Sequence, residues 1–304
     1  MSIVGSQADD AHAVCVILLN FNSADDTIRC LASLLKLDMP GGIVVVDNAS
    51  TDDSTGRLEE VRSSFEPTFR FLRNSSNRGF AAGNNVAICL AQEERAQYVW
   101  LLNNDTVVEP GALSSLVRTM EGDKRLGAVG SVLYEMHDAD RIQAWGGGKL
   151  NRLTGHCRNC LSPDNELTYL TGASMLIRAA ALRDVMLDES FFFLWEDVDF
   201  SLRLKKAGWR IGVSERSIVY HKGGGSEPRL SAQRLEWHAF GLVRVLRTHG
   251  YLAWLTTLPI WGYYLMLAVR QLSPAILRHA ARGWIKGWTT PLLRVDTCRD
   301  PSAT

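Results

Sequence analysis

Asn103-Asn104-Asp105 closes the apolar run Tyr98-Val99-Trp100-Leu101-Leu102. A strand ending in a carboxylate flanked by short amides offers hard oxygen ligands, the set that suits a Mg2+ or Mn2+ ion carrying a diphosphate. The same residue types favour turns and caps, so the triplet alone also fits a polar strand-to-helix turn. A second acidic group, Trp195-Glu196-Asp197-Val198-Asp199, follows the aromatic run Phe191-Phe192-Phe193. A carboxylate at a helix mouth beneath aromatic rings stays anionic while losing part of its water, which suits a general base taking a proton from an alcohol. The structural alternative is that acidic residues in a first turn favour the helix dipole. His221, ahead of Lys222-Gly223-Gly224-Gly225, adds an imidazole that either ligates a metal or serves the structure.

These groups need a scaffold that brings distant segments together. Strand-like runs at 14–19, 43–46, 69–72 and 98–102 alternate with helical patterns at about 23–36, 52–62, 83–92 and after Glu109-Pro110. That alternation predicts a mainly parallel sheet with helices on its faces, whose ligand crevice lies beyond the carboxyl ends of the strands. Asn20-Phe21-Asn22 follows the first strand, Asp47-Asn48 the second, segment 74–85 the third and residues 103–105 the fourth. Asp47 is placed to accept from a pyrimidine NH or a ribose hydroxyl, or simply to cap its own turn. Asn77-Arg78-Gly79-Phe80-Ala81-Ala82-Gly83-Asn84-Asn85 reads as a small-residue loop entering a helix, where backbone approaches a ligand and Arg78 offsets phosphate charge. Beyond Gly127 the pattern becomes mixed: strands at 128–134 and 169–177, a helix at 198–206, short strands at 210–213 and 218–221, and an amphipathic stretch at 230–248. Thr171-Gly172-Ala173 is a close-approach turn able to face the donor side.

Composition bounds the function. The 33 basic and 33 acidic residues cancel, which argues against a nucleic-acid partner. Neither a GxGxxG fingerprint nor a Walker-type loop is present. Six cysteines in 304 residues form no disulfide framework; Cys15, Cys30 and Cys89 fit as small buried residues, and a reducing compartment is expected. Cys157-Arg158-Asn159-Cys160 has metal or redox spacing but no second pair, so a plain loop is the expectation. Asp9 and Asp10 precede the run at 14–19, which reads as a buried strand and not as a leader.

As an ordered set the segments resemble glycosyltransferase family 2, the inverting GT-A enzymes, and within it the bacterial rhamnosyltransferase-like branch. The residues that carry the likeness are Val16-Ile17-Leu18-Leu19-Asn20-Phe21-Asn22, Val44-Val45-Val46-Asp47-Asn48-Ala49-Ser50-Thr51-Asp52, segment 77–85, Leu101-Leu102-Asn103-Asn104-Asp105, Leu170-Thr171-Gly172-Ala173-Ser174-Met175-Leu176-Ile177, Leu187-Asp188-Glu189-Ser190-Phe191-Phe192 and Trp195-Glu196-Asp197-Val198-Asp199-Phe200-Ser201-Leu202-Arg203. The resemblance implies an α/β fold with a mainly parallel nucleotide-binding sheet, a mixed acceptor-side region and a C-terminal helical segment. It implies that Asp197 is the catalytic base, that Asp105 and His221 hold a divalent cation, Mg2+ or Mn2+, and that Asp47 binds base or ribose. Asn20, Asn22, Arg78, Asn85 and Asn104 complete the expected donor side; Thr171, Gly172, Trp195 and Glu196 form the acceptor or sugar side. Asn103 and Asn104 replace the carboxylates many members carry, so the metal would rest on Asp105 among the triplet. The implied reaction moves a sugar, with dTDP-rhamnose favoured and UDP-sugars open, onto a hydroxyl of a glycan or lipid-linked acceptor. The implied division is a catalytic domain at 1–228, with a nucleotide-sugar half at about 13–125 and an acceptor half at about 126–228, and a C-terminal region at 229–304. A catalytically inactive glycan-binding or scaffold protein of this fold is the rival. A sugar nucleotidyltransferase fits less well, because Asn20-Phe21-Asn22-Ser23 lacks the glycines and arginine such an enzyme needs.

The tail differs in charge. From Arg229 onward there are ten Lys/Arg against three Asp/Glu, leaving 23 against 30 before it. Residues 251–269 carry no charged side chain and are flanked by Arg244, Arg247, His249 and Arg270. Interrupted by Pro259 and Gly262, they suggest a shallow hairpin or interfacial segment more than a full span. Trp237, Trp254, Trp261, Trp284 and Trp288 fit lipid headgroups, and Arg278, Arg282 and Lys286 lie at helical spacing to rest on anionic lipid. These features place the protein at the inner face of the cell membrane, peripheral or shallowly inserted. The alternative is a helical pair packed on the body.

Overall fold

The computed structural model describes residues 14–39, 42–64, 69–163, 166–223, 231–250, 261–262, 265–266 and 274–292. The first half runs β1 (Val14–Asn20), α1 (Ala24–Leu34), β2 (Gly42–Asp47), α2 (Ser54–Val61), β3 (Phe69–Arg73), α3 (Gly79–Glu93), β4 (Tyr98–Asn103), β5 (Thr106–Val108) and α4 (Ala112–Gly122). β2 is buried throughout and β1 nearly so. Strands apolar on both faces belong at the centre of a helix-covered parallel sheet. β3, with Arg70 and Arg73, sits at the edge, and β3, β2, β1 and β4 run mutually parallel.

The chain continues through β6 (Leu126–Glu135), β7 (Asp138–Trp145), β8 (Gly147–Leu150), β9 (Cys157–Asn159), β10 (Tyr169–Leu170), β11 (Ser174–Arg178), α5 (Ala179–Asp184), α6 (Glu196–Lys206), β12 (Arg210–His221), α7 (Ala232–His249) and α8 (Pro274–Thr289). The main sheet has the order β3-β2-β1-β4-β11-β6-β12-β5, with β7 on β6, and a second sheet has the order β10-β8-β9. β11 enters antiparallel between β4 and β6, so both halves of the sequence share one sheet.

Several elements depart from the sequence reading. The run at 169–177 is not one strand: β10 belongs to the small sheet, β11 to the large one, and residues 171–173 turn between them. Conversely, 210–213 and 218–221 are parts of the single strand β12. Its polar middle bulges out of register with β6 yet stays anchored, as Ser217 bonds Ser131 at 2.8 Å. α3 starts four residues earlier than expected, with Gly79 N–H donating to Asn77 Oδ1 at 2.9 Å. Cys157 opens a strand and not a loop. Cys15 and Cys30 are buried as free thiols, whereas Cys89 is half-buried and disulfide-bonded, unlike the small buried residue it was read as.

The tail charges also need correction. Of Arg244, Arg247 and His249, expected to flank a membrane segment, Arg244 and His249 face the body of the protein and Arg247 faces α8. Arg244 pairs with Asp188, His249 with Asp199, and Arg247 Nη1 donates to the Gly287 carbonyl at 2.6 Å. Trp237 likewise stacks on Phe192 at 4.9 Å. α8 lies tight on α7: a methyl on Gly283 would come within 2.0 Å of the Glu236 carbonyl oxygen. Most of segment 251–269 lies outside the described residues. Among the described residues no helix is long and apolar enough to cross a membrane.

Candidate active site

At the ends of β1 and β2, register pairs Asn20 with Asp47. Asn20 donates to Asp47 Oδ1 at 2.9 Å and to Ser50 Oγ at 3.1 Å, and accepts from Thr27 at 2.8 Å. Asp47 further accepts from the Ser50 hydroxyl at 2.5 Å, the Ser50 N–H at 3.1 Å and the Thr55 hydroxyl at 3.1 Å. Both side chains are fully buried. Asp47, read as a contact to base or ribose, is therefore engaged with its own loop, and its carboxylate sets the shape of residues 47–55. Asn22, in a left-handed conformation (φ 50°), exchanges hydrogen bonds with Thr51 across that loop.

Asn48 organises the next loop. Its amide nitrogen donates to Asn77 Oδ1 at 2.9 Å and to the Gly79 carbonyl at 3.1 Å, while its oxygen accepts from Asn74 at 2.9 Å and from Arg78 N–H at 3.1 Å. Arg78 Nη2 reaches Glu189 at 3.3 Å. Asn85 is buried and donates to the Leu187 carbonyl and to Glu189, both at 3.0 Å, so it ties α3 to segment 187–189. The Phe80 N–H donates to the Phe192 carbonyl at 2.6 Å, which joins this loop to the approach of α6.

The β4 end is where the sheet topology matters most. β5 pairs antiparallel with β12, His221 opposite Thr106, and this brings His221 beside Asp105. His221 Nε2 lies 3.1 Å from Asp105 Oδ1 and 3.3 Å from Asn103 Nδ2. His221 Nδ1 lies 2.6 Å from Gln143 Oε1, and Gln143 Nε2 donates to Glu135 at 3.2 Å. A carbonyl oxygen only accepts, so Nδ1 carries a proton, and Nε2 faces both the Asp105 carboxylate and the Asn103 amide. Burial raises the Asp105 pKa, but the hydrogen bond and charge of His221, with its own backbone N–H and Lys222, outweigh it and hold the carboxyl below its usual range. Asn104 instead donates to Thr27 at 2.8 Å. Among the described residues no group of three or more His, Cys, Asp or Glu converges. A metal here would take two protein ligands, Asp105 and His221, and fill the rest of its shell from phosphate oxygens and water.

Asp197 reaches the same end of the sheet through backbone. Its Oδ2 accepts from Gly172 N–H at 3.0 Å and its Oδ1 from Val198 N–H at 2.8 Å. One residue on, the Ala173 carbonyl accepts from Asn103 N–H at 2.9 Å. Asp105, His221 and Asp197 are thus linked through residues 103 and 171–173, at the point where the predicted continuous strand breaks. Gly172 lies between the Phe80 ring and Asp197, with room for a methyl at 3.5 and 3.6 Å from them, and Thr171 is pinned by its N–H to the Gly146 carbonyl at 3.0 Å. Burial raises the Asp197 pKa, countered by the N–H groups of Gly172, Val198 and Asp197 itself. Glu196 is 6% exposed, and its Oε2 has no hydrogen-bond partner. Burial, then the charge of Asp197, push it well above the carboxylate range. Trp195, expected on the acceptor side, is 7% exposed and packs edge-on against His238 at 5.4 Å, as part of the core.

Asn48, Gln143, Arg244 and His249 were not singled out as site residues. Asn48 adjoins Asp47 in sequence and was within reach of a motif reading; the other three act across spacings that leave no local signal.

The sequence profile of glycosyl transferase family 2 matches residues 15–185. An N-acetylglucosaminyl-diphospho-decaprenol L-rhamnosyltransferase of Mycobacterium tuberculosis is 25% identical over 235 residues, covering 68% of this chain and 75% of that protein. A poly-beta-1,6-N-acetyl-D-glucosamine synthase of Staphylococcus epidermidis is 23% identical over 249 residues, 81% of this chain and 58% of its own. Among solved structures, a mannosyltransferase from Pyrobaculum calidifontis, in complex with GDP-Man and Mn2+, superposes with a TM-score of 0.58 at 17% identity, covering 95% of this chain and 79% of that one. That likeness shows the α/β architecture expected from the sequence.

Proposed function

The chain belongs to glycosyltransferase family 2, and we propose that it transfers a sugar from a nucleoside-diphosphate donor to a hydroxyl of a growing surface glycan, with inversion at the anomeric carbon. The observation that carries this reading is the meeting of Asp105 and His221 at 3.1 Å, joined through residues 103 and 171–173 to Asp197. In this reading Asp197 takes the proton of the incoming hydroxyl while the Gly172 and Val198 N–H groups fix its direction. Asn103 and Gln143 orient His221, and the loop organised by Asn48 carries Arg78, whose guanidinium would offset phosphate charge. A divalent cation bound by Asp105 and His221 would supply charge to offset the departing diphosphate. Mn2+ is the ion named with the Pyrobaculum calidifontis mannosyltransferase. With a base acting on the acceptor, one in-line displacement suffices and no protein nucleophile is required.

The name of the mycobacterial relative supports rhamnose as the sugar and a lipid-linked glycan as the acceptor. The tail supports a membrane-side acceptor. α8 has no acidic residue, and Arg278, Arg282 and Lys286 lie exposed in one stripe beside Ile285, which is 53% exposed. Assay of the full-length protein with a panel of nucleotide sugars, with and without Mn2+, tests the proposal. Metal-dependent transfer from dTDP-rhamnose is expected, and transfer from a UDP-sugar alone would revise the donor. Failure of every donor with glycan and lipid-linked acceptors would favour the inactive glycan-binding rival.

A further inference from the structure

We propose that α7 is a positioning element of the active site, acting on the segment around Asp197 through Arg244 and His249. The inference rests on the reading of Asp197 as the base. Asp188 opens a turn in which its Oδ1 accepts from Ser190 N–H at 2.9 Å and its carbonyl from Phe191 N–H at 3.1 Å. Arg244, 1% exposed, places Nε and Nη2 on Asp188 Oδ2 at 3.0 and 2.8 Å, and its Nη1 on the Pro291 carbonyl at 3.0 Å. That turn carries Glu189, which holds Arg78, and Phe192, whose carbonyl holds Phe80. On the far side of Asp197, Asp199 is 2% exposed. Its Oδ1 meets His249 Nε2 at 2.9 Å, and its Oδ2 accepts from Arg203 Nε at 2.6 Å.

Between these two anchors the backbone is strained. Leu194 (φ 72°) and Trp195 (φ 75°) are consecutive left-handed residues, neither of them glycine. Such a conformation persists only where its surroundings over-determine it. α7 supplies them: Gly241 lies so close that a methyl there would come within 2.6 Å of Trp195 Cδ1, and Phe240 meets Phe191 edge-on at 5.9 Å. α7 therefore grips residues 188, 191, 195 and 199, on both sides of Glu196 and Asp197. The family profile ends at residue 185, before every one of these contacts. The profile therefore assigns no role to Arg244 or His249.

The test compares full-length wild type with His249→Leu, which removes the contact to Asp199, and His249→Gln, which retains a side-chain N–H for it. Hydrogen exchange is read over 188–200 and over β1 and β4, alongside steady-state kinetics. The expected result for His249→Leu is a loss of amide protection confined to 188–200. The kinetics should show a fall in kcat of about tenfold or more, with donor KM changed less than about twofold. The Gln variant should restore both. Unchanged protection and kcat in His249→Leu would overturn the inference. So would a loss of protection spread equally over β1 and β4, because His249 would then be a general stabiliser. Gly241→Ala, which disturbs the Trp195 contact, should give the same localised exchange and kcat loss, and wild-type behaviour there would also overturn it. If wild type transfers no sugar, the base reading fails by itself. The exchange pattern still decides whether α7 grips the segment.

Discussion

Asp197 and Asp199 stand two residues apart on α6, yet their surroundings drive them in opposite directions. Asp199 is pushed up by burial but pulled further down by His249 and Arg203, so its folded pKa lies below the usual value. Its contribution to stability is present above the unfolded carboxylate pKa and lost as pH falls through the folded one. An Asp199→Asn variant should therefore show a shallower acid dependence of Tm than wild type. Asp197 is raised by burial and must be ionised to accept a proton. The acid limb of kcat/KM should then lie above the ordinary aspartate pKa of about 3.9, and a limb at or below that value would contradict the assignment. Gln143 makes a different prediction. Without its carbonyl, His221 loses the partner that fixes its tautomer, and Gln143→Leu should weaken Mn2+ binding, titrated with nucleoside diphosphate present, by about 10–100-fold. Unchanged affinity would remove Gln143 from the site.

At the scale of elements, the loop from Asn77 to α3 is held by contacts that only glycine permits. Gly79 has φ +78°, and a Cβ there would lie 2.3 Å from the Phe192 carbonyl oxygen. Gly79→Ala should cost about 1–3 kcal/mol in thermal or denaturant unfolding and raise donor KM more than it lowers kcat. β1, β2 and β4 were legible because central parallel strands must be apolar on both faces, and 14–19, 43–46 and 98–102 are. The polar clusters at their ends were legible for the same topological reason. β12 was read as two pieces because Ser214-Glu215-Arg216-Ser217 looks like a turn, whereas the neighbouring β6 carries the chain through a bulge. The break between β10 and β11, which presents the Gly172 N–H to Asp197, was hidden because pairing partners 147–148 and 98–102 are remote in sequence. Register set by tertiary pairing leaves no periodicity to read.

At the scale of the whole molecule, the charge split between body and tail takes two forms. Arg244 and His249 face inward onto Asp188 and Asp199, a role invisible in sequence because ion pairs across 50 or more positions have no local spacing. Arg278, Arg282 and Lys286 remain on the surface of α8, although Lys286 also meets Glu236 at 2.5 Å. If that stripe rests on a bilayer, the protein should sediment with anionic vesicles, be released by about 0.5 M salt as screening shortens electrostatic reach, and ignore zwitterionic vesicles. Equal binding to both kinds would mean that apolar contact, not charge, brings it there. The central claim is that Asp197 and the Asp105–His221 pair serve one transfer reaction from a single cleft. The most direct measurement is sugar transfer and Mn2+-dependent nucleoside-diphosphate binding in Asp197→Asn. Transfer should fall by about 10²–10⁴-fold, the usual worth of a general base, while binding stays at the wild-type level. Wild-type transfer by Asp197→Asn would contradict the account.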